Sequence, residues 1–204
     1  MRVSLYAVAG IVLLLVIGFA AYMIYHGSTV DSGPISFCTT VGALGFDGKS
    51  GVVLPLHACS VSCPHPGVYV GVSSVYGIPF QQAVRSALAA YERLHGDVDR
   101  CVFLSVKSPD LLTGESVGLA AYLAIWAALN HVDLSKYAAT GVVNPDGSVS
   151  SVLYVPQKIS AANGAKLTVF VPIANCPVSR GDNVLCVGSV SDAERVLTSS
   201  SAGR

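Results

Sequence analysis

The sequence predicts an α+β (mixed α/β) domain preceded by one N-terminal transmembrane helix. Three observations predict it. An uncharged apolar stretch covers 5–25. Short β-rich runs follow it, two of them flanking a turn. From residue 80 onward, segments with helical spacing interrupt those runs.

The chain has 204 residues, with 12 basic and 12 acidic side chains. That is room for one sizeable domain and an anchor. Charged residues make up 12%, about half the usual share of ~25%. No basic patch suggests nucleic acid, and no run of like charge suggests a disordered arm.

The anchor is assigned to 1–26. Its apolar part has no charge and no Asn, Gln or Pro. At ~1.5 Å per residue it is about 30 Å long, the thickness of a bilayer core. Tyr6, Tyr22 and Tyr25 stand at its ends, where aromatic rings favour the interface. A cleaved signal peptide is the competing reading, but its apolar part is normally about 7–15 residues. Arg2 is the basic side chain before the span, and Lys49 is the first Lys or Arg after it. This bias predicts a single-pass protein with its domain outside the cytoplasm. Six cysteines fit an oxidising exterior.

Residues 27–35 read as a linker and 36–198 as the domain. Strands are expected at 35–41 and 51–61, a hairpin around Phe46-Asp47-Gly48-Lys49-Ser50. A third strand is expected at 68–75. Phe80, Ala83, Val84, Ala87, Leu88 and Tyr91 have helical spacing and end near His95-Gly96. Strand 101–106, a loop at 107–113, an apolar helix at 119–130 and strand 138–143 follow. After a turn at 144–147, residues 149–155 read as strand. A helix at 158–163 ends at Gly164 as C-cap. Strands at 167–171 and 184–187 precede a helix to about 197, capped by Ser191-Asp192. The tail 199–204 is expected to fray.

Gly114-Glu115-Ser116-Val117-Gly118 has the form G-x-S-x-G. Alone this is weak. An α/β-hydrolase elbow requires a strand running into the motif, then an acid, then a histidine. Here a loop with Pro109 intervenes, and no Asp or Glu lies between Ser116 and His131, the last histidine of the chain. Another base must therefore deprotonate the serine, and a lysine with a depressed pKa can do so. Lys136, Lys158 and Lys166 are all candidates on composition alone.

Four ordered blocks single out Lys158. Gly114–Gly118, Ala139-Thr140-Gly141, Asp146-Gly147-Ser148-Val149 and the stretch from Gln157 to Pro172 together resemble the proteolytic domain of Lon proteases, especially the archaeal branch. The likeness extends over about 37–197, and the spacing of Ser116 and Lys158 is the family's. It implies a Lon proteolytic-domain-like fold and an ATP-independent serine endopeptidase. Ser116 would be the nucleophile, Lys158 the general base, and Thr140 the hydrogen-bond partner of the lysine. The N–H groups of Ser116 and Val117 would form the oxyanion hole. Glu115 is a supporting candidate beside the pair, although a carboxylate there would raise the lysine pKa. The family's isolated domains form rings, so a homo-oligomer is a further expectation.

The chain departs from the family in three ways, the first being Val117 and Gly118 in place of smaller or other residues after the serine. Leu153 and Tyr154 occupy the positions of a Gly-Gly pair, and no Walker motif occurs in the 204 residues. A catalytically silent Lon-like domain, acting as a membrane-bound binding or assembly module, is therefore the alternative. The bland readings are a helix N-cap for Ser116, a solvated lysine for Lys158 and a plain strand residue for Thr140. His57, Cys59, Cys63 and His65 lack standard zinc spacing, so no metal or cofactor is expected. Cys59 and Cys63 would lie about 13 Å apart on an extended strand. Cys38–Cys59 across the hairpin and Cys176–Cys186 across a loop are the preferred disulfides.

Overall fold

Two consecutive β-rich segments pair over their whole length and set the frame. In the computed structural model, β1 (Ile35–Phe46) and β2 (Gly51–Val61) form an antiparallel hairpin from Ile35↔Val61 to Phe46↔Gly51. The structure describes residues 35–71, 77–106, 114–178 and 181–201. The chain divides into Met1–Gly33 and Pro34–Arg204, and every described element belongs to the second unit. The predicted anchor 1–26 and most of the linker lie outside the described residues. Among the described residues, no helix is long and apolar enough to cross a membrane.

The remaining elements are β3 (Gly67–Val70), α1 (Ile78–His95), β4 (Cys101–Val106), a 3-10 turn (Glu115–Val117) and α2 (Gly118–Asn130). Next come β5 (Tyr137–Ala139), β6 (Val142–Val143), β7 (Val149–Ser150) and α3 (Val155–Gly164). The last are β8 (Thr168–Pro172), a second 3-10 turn (Ile173–Asn175), β9 (Val184–Val187) and α4 (Val190–Ser201). Seven strands form one sheet in the order β3-β4-β2-β1-β5-β8-β9. It is mixed, because β2 runs antiparallel to both neighbours while all other pairings are parallel. This is an α+β domain.

Alternation along the strands supplies two apolar faces. Ala43, Ala139 and Phe170 join the core formed with α1, α2 and α4. Leu44, Ala138, Val169 and Val171 face a second, smaller core that contains Val155 and Ala162 of α3. Every residue of α2 from Gly118 to Ala128 is buried, as an all-apolar helix requires. Tyr122 of α2 donates to Glu194 of α4, which also meets His95 Nε2 of α1 at 2.9 Å.

Several elements differ from the sequence expectation. The strand predicted over 138–143 is interrupted. Thr140 N–H still bonds to the Phe170 carbonyl, but Gly141 N–H turns to the Ser116 carbonyl. Val142–Val143 then pairs with Val149–Ser150 in a separate ribbon. The strand expected over 149–155 stops at Ser150, because Pro156 in the first turn of α3 favours helix at that point. Lys158 therefore sits inside the helix, not at its start. Gly164 is the last helical residue and Ala165 the C-cap, with Lys166 taking the left-handed conformation at φ 58°. The last helix is capped two residues earlier than expected, by Ser189, with Asp192 as its partner. Ser189 Oγ accepts from Asp192 N–H at 3.2 Å, and the Asp192 carboxylate accepts from Ser189 N–H at 3.0 Å, a reciprocal capping box. That helix continues to Ser201, into the tail expected to fray. Observed β3 covers only the start of the strand predicted at 68–75, and 72–76 lie outside the described residues.

Three disulfides are present: Cys38–Cys59, Cys176–Cys186 and Cys63–Cys101. The first two pairings match the sequence expectation. The third makes Cys63 a partner of β4 through the turn after β2. Cys63–Cys101 spans 38 positions and Cys176–Cys186 spans 10. Loop-closure entropy then assigns them about 4 and about 3 kcal/mol of stabilisation, respectively. We expect the double Cys→Ser variant at 63 and 101 to melt at a lower temperature than the one at 176 and 186. The reverse order in thermal melts would mean that loop closure does not set their contributions.

Candidate active site

The serine motif is held by backbone contacts, not by a side-chain cap. Gly114 at φ 105° leads into the 3-10 turn, and α2 begins at Gly118. Val117 is the N-cap of α2, and no side chain caps that terminus. Ser116 is thus not an N-cap, and its hydroxyl is not used for capping. The Ser116 carbonyl accepts from Gly141 N–H at 2.9 Å, and Leu119 N–H donates to the Gly141 carbonyl at 3.0 Å. This pairing explains why the chain leaves the sheet after β5. It ties the start of α2 to the segment that carries Thr140. A Cβ on Gly118 would lie 2.9 Å from Val143 N and 3.2 Å from the Gly141 carbonyl, so no larger residue fits this crossing.

The lysine comes from the opposite face of the sheet. Lys158 lies one turn into α3 and is 3% exposed. Its helix sits directly on β2, where a Cβ on Gly51 would fall 2.1 Å from the Gln157 carbonyl oxygen. A glycine opening a β-strand is itself a signal of close backbone approach. The loop before α3 is pinned by Asn175. Its Oδ1 accepts from Val152 N–H at 2.7 Å, and its Nδ2 donates to the Val152 carbonyl at 3.2 Å. The amide takes the place of a neighbouring strand.

Lys158 Nζ donates to Thr140 Oγ1 at 3.1 Å. Thr140 is fully buried, and its hydroxyl lies 3.4 Å from the Ser116 carbonyl, a long contact. Among the described residues, Lys158 has no ion-pair partner. Burial without a counter-charge lowers its pKa from 10.5 to about 8, because desolvation penalises the ammonium form. A neutral amine with one N–H on Thr140 keeps its lone pair for another contact.

Ser116 and Lys158 line one cleft of about 520 Å³, together with Gly45, Phe46, Glu115 and Tyr154. Glu115 is exposed and stands in the cleft wall. Val117 is 8% exposed and adjoins the N-terminus of α2, which offers N–H groups and the positive dipole end. One wall is formed by Tyr154. Tyr154 adopts φ 60° and stacks on Phe46, with ring centroids 4.1 Å apart. A cavity of about 560 Å³ lies across loop 152–155 among Ile159, Asn163 and Val184. It is slightly larger, and among the described residues no serine, lysine or carboxylate lines it. Cys59 and Cys63 are both in disulfides, and no group of metal ligands occurs among the described residues.

The lysine's burial has a stability consequence. A lysine whose folded pKa is below its unfolded value costs stability in full below pH 8, and the cost fades as pH rises toward the unfolded value. We expect Lys158→Met to stabilise the protein at pH 7 by about 3 kcal/mol, with the gain shrinking between pH 8 and 10.5. Chemical denaturation of both proteins across this range is the check. Destabilisation at pH 7 would refute a buried, depressed amine.

A scan against protein-family models and a search of curated proteins both find no match for this chain.

Proposed function

We propose that this chain is an ATP-independent serine endopeptidase with a Lon-like fold, using Ser116 and Lys158 on flexible or unfolded polypeptides. The observation that carries the reading is Lys158. Its amine is buried and is hydrogen-bonded to Thr140 at 3.1 Å, and it lines the cleft that also contains the GESVG serine. A structural lysine gains nothing from this arrangement, whereas a general base needs it. The Lon-like assignment is supported by the order of the blocks: serine helix, Thr140 segment, lysine helix, then the strand ending at Pro172 and leading to Asn175. Tyr154, at a position where the family carries glycine, has the positive φ that glycine favours.

In this reading the neutral amine of Lys158 takes the Ser116 hydroxyl proton as Oγ attacks the peptide carbonyl. The oxyanion is met by the N–H groups of Ser116 and Val117. Lys158 then passes the proton to the leaving amine, and the C–N bond breaks. Water resolves the acyl-enzyme with the same lysine as base. Thr140 orients the amine throughout. Residues 1–26 tether the domain to a membrane, with the domain on the extracytoplasmic side, and copies associate into a ring.

The alternative, a silent Lon-like binding module, draws on one observation. The Phe46–Tyr154 stack stands in the cleft wall where the family has only glycine. Casein digestion separates the two. Wild type is expected to cleave, and Ser116→Ala and Lys158→Ala to lose at least about 10³-fold in kcat/KM. Wild-type turnover by Lys158→Ala would exclude the dyad, and an inert wild type would favour the module.

The pH profile is a second check. The base works when neutral, so kcat/KM should fall about tenfold per pH unit below the lysine pKa and level off above about 8. A profile flat from pH 6 to 9 would exclude Lys158 as base.

A further inference from the structure

A second, smaller cavity touches the nucleophile. It is lined by Ala43, Leu44, Leu54, Phe80, Val106 and Val117 as well as Ser116. Six of these seven side chains are apolar, and no charged group lines it among the described residues. Its volume is about 40 Å³. One water-sized sphere needs about 10–15 Å³ on this measure, so the space holds about three such spheres. That suits a side chain of one to three heavy atoms. Phenylalanine and lysine side chains are too large, and lysine would also lose its hydration.

Which substrate residue reaches this cavity is decided by the lysine. Lys158 must face the leaving amine to protonate it, and Lys158 lines the 520 Å³ cleft and not the small cavity. The leaving side of the scissile bond therefore lies in the cleft. The residue on the acyl side remains bonded to Ser116 after the first step, and it is the one whose side chain can enter the small cavity.

We propose that this cavity is the specificity pocket of the enzyme and that it selects polypeptide bonds following a small aliphatic residue, of alanine to valine size. The proposal rests on the peptidase reading above. Phe80, 4% exposed at the start of α1, and Leu54 are the size-determining residues. Both side chains bound the cavity without belonging to the Ser116–Lys158 pair. Rejection of larger residues comes from overpacking, since Ala43, Phe80, Val106 and Val117 belong to the main core and Leu44 to the second one, and such walls do not yield without repacking.

The test uses the full chain in detergent micelles and reduced, unfolded casein, with cleavage sites mapped by mass spectrometry. Ser116→Ala provides the blank. Wild type is expected to cut after Ala or Val at least about tenfold faster than after Phe, Lys or Arg. Phe80→Ala is expected to admit Leu and Met on the acyl side while the leaving-side preference stays unchanged. Phe80→Leu is the milder variant should the first not fold, and it is expected to shift the profile in the same direction. Ser116-dependent cleavage with no size preference, or a wild-type preference for Phe or Lys, overturns the pocket but leaves the peptidase reading standing. The absence of any Ser116-dependent cleavage overturns both.

Discussion

The hydrogen bond from Lys158 Nζ to Thr140 Oγ1 joins the two faces of the sheet, and much of the domain is arranged to allow it. The lysine arrives on α3 from one face, and the serine arrives on α2 from the other. Thr140 is where they meet, because its segment leaves the sheet after β5 and binds the serine turn through backbone bonds. A buried amine without a counter-charge is costly. Here the surrounding contacts are backbone against backbone, at Gly51 and Gly118, so the amine cannot escape to water by a small shift of one helix. The same burial that makes the lysine expensive lowers its pKa.

The long hairpin performs two tasks at its two ends. Near the start of β1, Cys38 is bonded to Cys59 opposite it, and Cys63 is bonded to Cys101 where β4 begins. At the other end, Gly45 and Phe46 line the cleft and Gly51 seats the lysine helix. Two of the three covalent staples therefore lie at the end of the sheet away from the cleft. They restrict the unfolded chain without occupying the site. The cleft end is held by packing and by the Asn175 amide clamp on Val152.

How much was legible in the sequence depends on how local each signal is. Helix α1 is strongly periodic, α2 is apolar all round and the β1–β2 hairpin is β-rich around a turn, and such patterns report burial directly. Ser116, Lys158 and Thr140 were placed through ordered motif blocks, and all three meet at one cleft or one hydrogen bond. The departure of Thr140-Gly141 from the sheet was not legible. Valine, alanine and threonine read as strand whichever partner they take, and the partner here is a serine carbonyl 25 positions away in sequence, at Ser116. Pro156 did carry a local helix-start signal, and it outweighs the β-rich composition of 149–155. The Cys63–Cys101 pairing depends on β2 and β4 being neighbours, a fact of topology that spacing does not contain.

Tyr154 shows how a costly local conformation can be offset. A non-glycine residue at φ 60° costs on the order of 1–2 kcal/mol. Its ring lies nearly parallel to Phe46, at 4.1 Å and 13°, and such a pair returns about 0.5–1.5 kcal/mol beyond its buried area. The two terms are close, so the backbone conformation that glycine would adopt freely is kept by aromatic stacking instead. The consequence is steric as well as energetic. Glycine at position 154 would leave the cleft wall open, whereas the stacked rings close it beside Ser116 and Lys158. The tyrosine therefore exchanges conformational ease for a fixed wall of the cleft.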